Sequence, residues 1–157
     1  MSVSTVLSVN QADPIVDDSI FRKIVGKLQY LSFTRPDIAF TVNKLSQFMH
    51  CPQANHWKAV KRLLRYLKQT SSFGLQITRK TDSRLMVCSD SDWAGDPAVR
   101  TSTTGYVIYL ESTPVSWSSK KQRSVSRSST EAEYRAVAAA LAETNWITNL
   151  LRATQRS

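Results

Sequence analysis

Two acidic residues in this chain have the surroundings expected of oxygen ligands for a hard cation. Asp90 stands in Ser89-Asp90-Ser91-Asp92-Trp93-Ala94-Gly95, directly after the apolar run Leu85-Met86-Val87-Cys88. Glu133 stands in Ser128-Ser129-Thr130-Glu131-Ala132-Glu133-Tyr134, at the head of an alanine-rich stretch. A carboxylate at a strand end and another on a neighbouring helix are the parts from which Mg²⁺ sites are assembled, because hard cations select anionic oxygen donors. A plainer role is also open to Asp90, since aspartate caps turns where strands stop, and Asp92 competes with it for the metal. Glu131 lies three residues after Ser128, the spacing of a capping box, which leaves Glu133 for the metal side. Beyond Asp96 there is no aspartate, and beyond Glu133 the one acid is Glu143. A site that needs several carboxylates is therefore expected to stay incomplete.

The basic residues point to a polyanionic partner. Among 157 residues the formal net charge is +9. Twelve Lys and Arg lie between Arg22 and Lys80 against one acid, Asp37, whereas residues 81 to 157 carry nine bases and eight acids. Lys58, Lys61, Arg65 and Lys68 recur every three or four residues and predict one positive helix stripe, while Lys120, Lys121, Arg123 and Arg127 predict a basic loop. Cations so arranged contact nucleic-acid phosphates, although a solvated helix face or loop has the same pattern.

Periodicity supplies the scaffold. Residues 1 to 18 read as a flexible lead-in. Asp18 or Ser19 is placed to cap a helix to about Ser32, with Phe21, Val25, Leu28 and Leu31 on one side. Pro36 is placed to open a second helix through Phe48, and Asn55 to cap a third, with Trp57, Val60, Leu64 and Leu67 inward. From Leu75 the period is that of strands. Leu75 to Thr78 and Leu85 to Ser89 predict a hairpin around 80 to 83, followed by strands at Gly105 to Leu110 and Pro114 to Ser118 in an antiparallel meander. Ala132 to Leu151 predicts a long helix whose small side chains permit close packing on a sheet.

Several classes are disfavoured. Cys51 and Cys88 have no partner at zinc or disulfide-framework spacing, and Cys88 reads as a small core residue in a reducing compartment. Trp93 and Trp117 read as core aromatics, and His50 and His56 as loop or cap residues. No apolar run approaches a membrane span, and no signal or transit peptide is seen, so no membrane partner and an intracellular location are expected.

The chain resembles the Pol polyprotein of copia-type long-terminal-repeat retrotransposons along nearly its whole length. The resemblance is carried by Phe21-Arg22-Lys23-Ile24-Val25-Gly26-Lys27-Leu28-Gln29-Tyr30-Leu31, by Thr34-Arg35-Pro36-Asp37-Ile38-Ala39-Phe40, and by His56-Trp57 through Lys68. It continues through the Ser89 to Gly95 run, Thr101 to Tyr106, Ser116-Trp117-Ser118-Ser119-Lys120-Lys121-Gln122, and Ser126 to Arg135. The resemblance implies that residues 19 to 78 are the helical tail of a reverse transcriptase and residues 79 to 157 an incomplete ribonuclease H. The implied class is α+β: a helical N-terminal segment, then a truncated ribonuclease H-like three-stranded antiparallel sheet with one long helix.

It further implies that Asp90 and Glu133 are catalytic metal ligands, in a family whose intact members use Mg²⁺ to cut the RNA strand of RNA/DNA hybrids. Such relatives add later aspartates that these residues do not include. Mg²⁺ binding is thus expected to be weak or absent, catalysis lost, and affinity for an RNA/DNA hybrid or RNA retained. Two other functions remain open: an active hybrid ribonuclease completed by another chain or a longer product, and a host-reused RNA- or protein-binding module. In the truncated sheet Leu85 to Ser89 is expected to form an exposed edge capable of self-association.

Overall fold

The computed structural model describes residues 14, 17–77, 84–96 and 98–154. The chain is α+β and divides into two compact units, residues 1–74 and 75–157. The lead-in, apart from residues 14, 17 and 18, and the turn around 80 to 83 lie outside the described residues.

In the first unit three helices bury one apolar seam each. α1 (Asp18–Leu31) is capped by Asp17, whose carboxylate accepts from the backbone N–H groups of Ser19 and Ile20 at 2.9 and 3.3 Å. The cap therefore falls one residue before Asp18, and Asp18 pairs with Arg22 one turn on. A 3₁₀ turn (Pro36–Ile38) leads into α2 (Ala39–Ser46), which stops short of the predicted Phe48. α3 (Ala54–Gln69) is capped by Gln53 rather than Asn55: the Gln53 backbone N–H donates to His56 Nδ1 at 3.0 Å in a reciprocal capping box. His56 is fully buried and stacks on Phe48, ring centroids 3.9 Å apart. Because the inward seam of α3 starts at His56, it runs through Val60 and Leu63, and Leu64, predicted inward, is 40% exposed. Phe21, Val25, Leu28, Ile38, Val42, Leu45, Val60 and Leu63 form the core.

A polar knot ties the link between α1 and α2 to the end of α3. Arg35, almost wholly buried, donates to both Asp37 carboxylate oxygens at 2.9 and 2.7 Å and to the Thr70 carbonyl and hydroxyl at 3.0 and 2.9 Å. Tyr66 adds a hydroxyl bond to Asp37 at 2.8 Å. The Arg35 guanidinium holds the Asp37 carboxyl below the usual carboxylate range, and Asp37 raises Arg35 in turn.

In the second unit β1 (Leu85–Asp92), β2 (Thr103–Leu110) and β3 (Thr113–Lys121) form an antiparallel meander in that order, and α4 (Ser129–Thr154) packs on β1 and β2. Residues 75–77 are not a strand, so β1 pairs with β2 and not with an upstream hairpin partner. β1 is an edge of the sheet, with Met86 and Val87 exposed. Alternation places Val87, Ser89 and Ser91 on the α4 side, opposite the buried Ile108 and its neighbours, and Met86, Cys88 and Asp90 on the other. Cys88 is accordingly exposed, contrary to the expectation of a core thiol. Trp117 is half-buried, and Trp93 is exposed in the turn after β1, its indole N–H donating to the Ser126 carbonyl at 3.2 Å.

Ala132, Ala136 and Ala140 recur at four-residue spacing and are all buried, so α4 lies close on the sheet. Glu131 N–H bonds Ser128 Oγ at 3.1 Å as a capping box requires, but the Glu131 carboxylate reaches back to the Arg127 N–H at 2.8 Å instead of to Ser128. At the corner where β1, β3 and α4 meet, the Gln122 amide nitrogen donates to Ser91 Oγ, Thr104 Oγ1 and the Ala132 carbonyl at 3.3, 3.0 and 3.1 Å, and its oxygen accepts from Ser126 Oγ at 2.9 Å.

Arg35→Met should destabilise the first unit by about 2–3 kcal/mol in urea unfolding, since it strands Asp37 and Thr70 without their donor. Asp37→Asn should destabilise it at pH 7 by less. The Asp37 contribution is complete above its unfolded pKa near ~4 and disappears as pH falls through the lowered folded value, so wild type and Asp37→Asn should converge in acid. Gln122→Leu should cost the second unit about 3 kcal/mol, because four partners lose their bonds at a half-buried corner. Equal melting of this variant and wild type would refute the corner's role.

Candidate functional site

The acids divide by what holds them. Asp92 is half-buried, and its carboxylate accepts from the Thr103 N–H, tying the end of β1 to the start of β2. A Cβ on Gly95 would collide with that carboxylate, which accounts for glycine there, while the left-handed conformation of this turn falls on Ala94 (φ 53°). Glu131 is committed to the Arg127 N–H and to Arg135 at 2.6 Å; the first of these bonds holds it below the usual carboxylate range. Glu143 accepts from Ser116 Oγ at 2.9 Å. The carboxylates of Asp90, exposed on β1 opposite Gly105, and of Glu133, half-buried on α4, have no hydrogen-bond or ion-pair partner among the described residues.

The backbones that carry these two acids converge. Ser91 follows Asp90, Ala132 precedes Glu133, and both bond the one amide nitrogen of Gln122. Gln122 escapes a reading of the sequence, because a glutamine after a strand carries no signal until the fold brings its four partners around it.

Among the described residues no three His, Cys, Asp or Glu side chains cluster as a metal site. Asp90 lies on the sheet face away from α4, the helix that carries Glu133, so each carboxylate by itself is an oxygen donor suited to a Mg²⁺ ion that keeps most of its water, and the two do not make a closed cage.

The basic residues also divide. Lys58, Lys61, Arg65 and Lys68 are all exposed on α3, which has no acid in its sixteen residues. Lys58, Lys61, Leu64 and Arg65 line a shallow open groove, and the Lys61 ammonium lies 5.8 Å over the Trp57 ring. In the second unit Lys120, Arg123 and Arg127 are exposed, whereas Lys121 is half-buried and paired with Asp96. Burial alone would push the Asp96 carboxyl up, but the Lys121 ammonium and the N–H groups of Val99 and Ala98 outweigh it and hold it below the usual range. The Lys121 charge is therefore largely spent within the fold. No helix among the described residues is long and apolar enough to cross a membrane.

Comparison with known proteins places these features in a lineage. The chain is 50% identical over 151 residues to the retrovirus-related Pol polyprotein from transposon RE2 of Arabidopsis thaliana, a match covering 96% of this chain and 10% of that protein. It is 51% identical, with the same coverage, to the Pol polyprotein from transposon RE1 of the same plant. It is also 49% identical over 132 residues to secreted RxLR effector protein 161 of Plasmopara viticola, covering 83% of this chain and 93% of that protein. No family model and no solved structure matches. The chain thus spans about a tenth of the length of the Pol polyproteins it matches. With half of its residues identical across nearly all of its sequence, it belongs to the retrovirus-related Pol polyproteins of copia-type transposons.

Proposed function

We propose that this chain joins the end of a reverse transcriptase (residues 19–78) to the first part of a ribonuclease H (79–157), and that by itself it binds nucleic acid without cleaving it. The observation that carries the binding is the stripe Lys58, Lys61, Arg65 and Lys68, exposed on a helix with no acid of its own. Asp37, the single acid between Arg22 and Lys80, is already neutralised by Arg35. The remaining cations attract phosphates, and release of counterions from the nucleic acid drives association. In the second unit Lys120, Arg123 and Arg127 are exposed and suited to phosphate contacts of their own, with an RNA/DNA hybrid or RNA as ligand.

Cleavage has stricter needs. A bound Mg²⁺ lowers the pKa of the attacking water and stabilises the leaving oxygen. In this chain Asp90 and Glu133 are the groups to hold it, and each is unpaired among the described residues. Two carboxylates leave most of the coordination sphere to water, so Mg²⁺ is held weakly. One observation favours a second reading, in which further acids complete an active hybrid ribonuclease: Gln122 keeps the Asp90 and Glu133 segments together although neither acid has a structural task.

Binding of a labelled RNA/DNA hybrid should weaken linearly on a log–log plot against salt. Replacing Lys58, Lys61, Arg65 and Lys68 by Gln should make that line shallower, by about 0.9 in slope for each phosphate left without a neutralising cation. Affinity indifferent to salt would overturn the reading. With Mg²⁺ present neither wild type nor Asp90→Asn should cleave the hybrid; cleavage by wild type that Asp90→Asn abolishes would establish the active alternative.

A further inference from the structure

The two edges of the sheet are built differently. β3 carries features that keep an edge from pairing: Pro114, the cations Lys120 and Lys121, and a bulge where Val115 interrupts the ladder to β2. β1 keeps an unbroken register with β2, and from Leu85 to Ser89 it holds no charge and no proline. Met86, Val87 and Cys88 are exposed along it, and among the described residues no strand pairs with its far side.

Backbone direction decides what fits there. The Arg84 carbonyl accepts from the Glu111 N–H at 2.9 Å, so Arg84 turns its hydrogen-bonding groups toward β2, and by alternation Met86, Cys88 and Asp90 do the same. Leu85, Val87, Ser89 and Ser91 therefore direct theirs to the open edge. An antiparallel copy of β1 has the same alternation, so outward residues meet outward residues and opposed side chains share a face. The dyad then stands perpendicular to the sheet, with both α4 helices on the same face.

Charge selects the register. With Val87 on the dyad, Arg84 of each copy faces Asp90 of the other, and Met86 faces Cys88. Arg84 and Asp90 are both exposed, and the symmetry makes two opposite-charge cross-strand pairs of them. Centring on Cys88 sets Met86 against Asp90, and Arg84 against Asp92, whose carboxylate already holds the Thr103 N–H. Centring on Asp90 sets two carboxylates together.

We propose that β1 pairs antiparallel with β1 of a second copy of this chain, in the register that opposes Arg84 and Asp90, joining two three-stranded sheets into one. The pairing needs no nucleic acid, so it is measured without any and stands or falls apart from the binding function above.

In sedimentation over a range of protein concentrations, wild type should pass from monomer to dimer. Arg84→Glu should raise the dissociation constant about ten-fold or more, because two cross-strand pairs change from attraction to repulsion, and Asp90→Arg should do likewise. The double variant Arg84→Glu/Asp90→Arg should recover the dimer, a rescue that damaged folding does not produce. In a Cys51→Ser background, Met86→Cys should give on mild oxidation a disulfide between position 86 of one copy and Cys88 of the other, since such a pair brings Cα atoms to about 4.5 Å. Cys88 should not link to Cys88, because these diagonal neighbours lie about 7–8 Å apart.

A wild type that stays monomeric at every concentration would overturn the proposal. A prevailing Cys88–Cys88 disulfide, or a double variant as weak as the single ones, would overturn the register. A dimer that Arg84→Glu leaves intact and Leu141→Asp dissolves would assign the interface to the exposed Tyr134, Val137 and Leu141 of α4, and β1 would have no part in it.

Discussion

The close approach of α4 to the sheet is the constraint on which the second unit depends. Ala132, Ala136 and Ala140 present nothing beyond a Cβ to the strands, so the helix backbone settles near β1 and β2. That nearness partly shields the corner where the strands end from water, and polar groups there gain from partners within the protein. Gln122 supplies them: one side-chain amide serves a strand hydroxyl on β1, another on β2 and the Ala132 carbonyl of α4. Ser102, fully buried, does similar service, its hydroxyl accepting from the Ala94 N–H at 3.0 Å and its carbonyl from the Gln122 N–H at 2.8 Å. The positions of Asp90 and Glu133 follow from this corner, since each is one residue from an atom that the Gln122 amide holds.

In the first unit the charges that stabilise the fold are distinct from those that face outward. Arg35 is the cation taken into the protein, where a guanidinium can satisfy a carboxylate, a carbonyl and a hydroxyl with one planar fork. The rings of Tyr66 and Phe73 each lie 5.9 Å from the guanidinium carbon and add cation–π attraction. This knot neutralises the one acid between Arg22 and Lys80, so no free acid of that stretch offsets the surface field from Lys58, Lys61, Arg65 and Lys68.

Much of this is legible in the sequence, and the parts that are not share a cause. The spacing of Phe21, Val25 and Leu28, the change from helical to strand period, and the small-residue character of the last helix each express a local pattern that packing then obeys. Caps fall one or two residues from their expected places because Asp17, Asp18 and Ser19, or Gln53 and Asn55, are all competent, and tertiary context selects among them. Leu63 and Leu64 are interchangeable on paper; the buried His56 sets the phase that turns Leu63 inward. Cys88 has the neighbours of a core residue because an apolar strand reads as covered on both faces, whereas α4 covers one. Asp90 and Asp92 are not separated by type, only by the Thr103 N–H that occupies Asp92.

Binding and cleavage scale differently with the number of residues that perform them, which is why one can persist where the other does not. Phosphate contacts contribute roughly one by one, so a chain that carries part of a larger polyprotein's cationic surface keeps a corresponding part of its affinity. Two-metal hydrolysis has no such gradation: the ions must be held against one phosphate by a full set of acids, and each missing carboxylate returns coordination positions to water. The chain spans a tenth of its Pol relatives, concentrates its cations on α1 and α3, and among the described residues gathers no three metal-ligating side chains; under the proposed function it lies on the side of that divide where attraction to nucleic acid survives and chemistry does not.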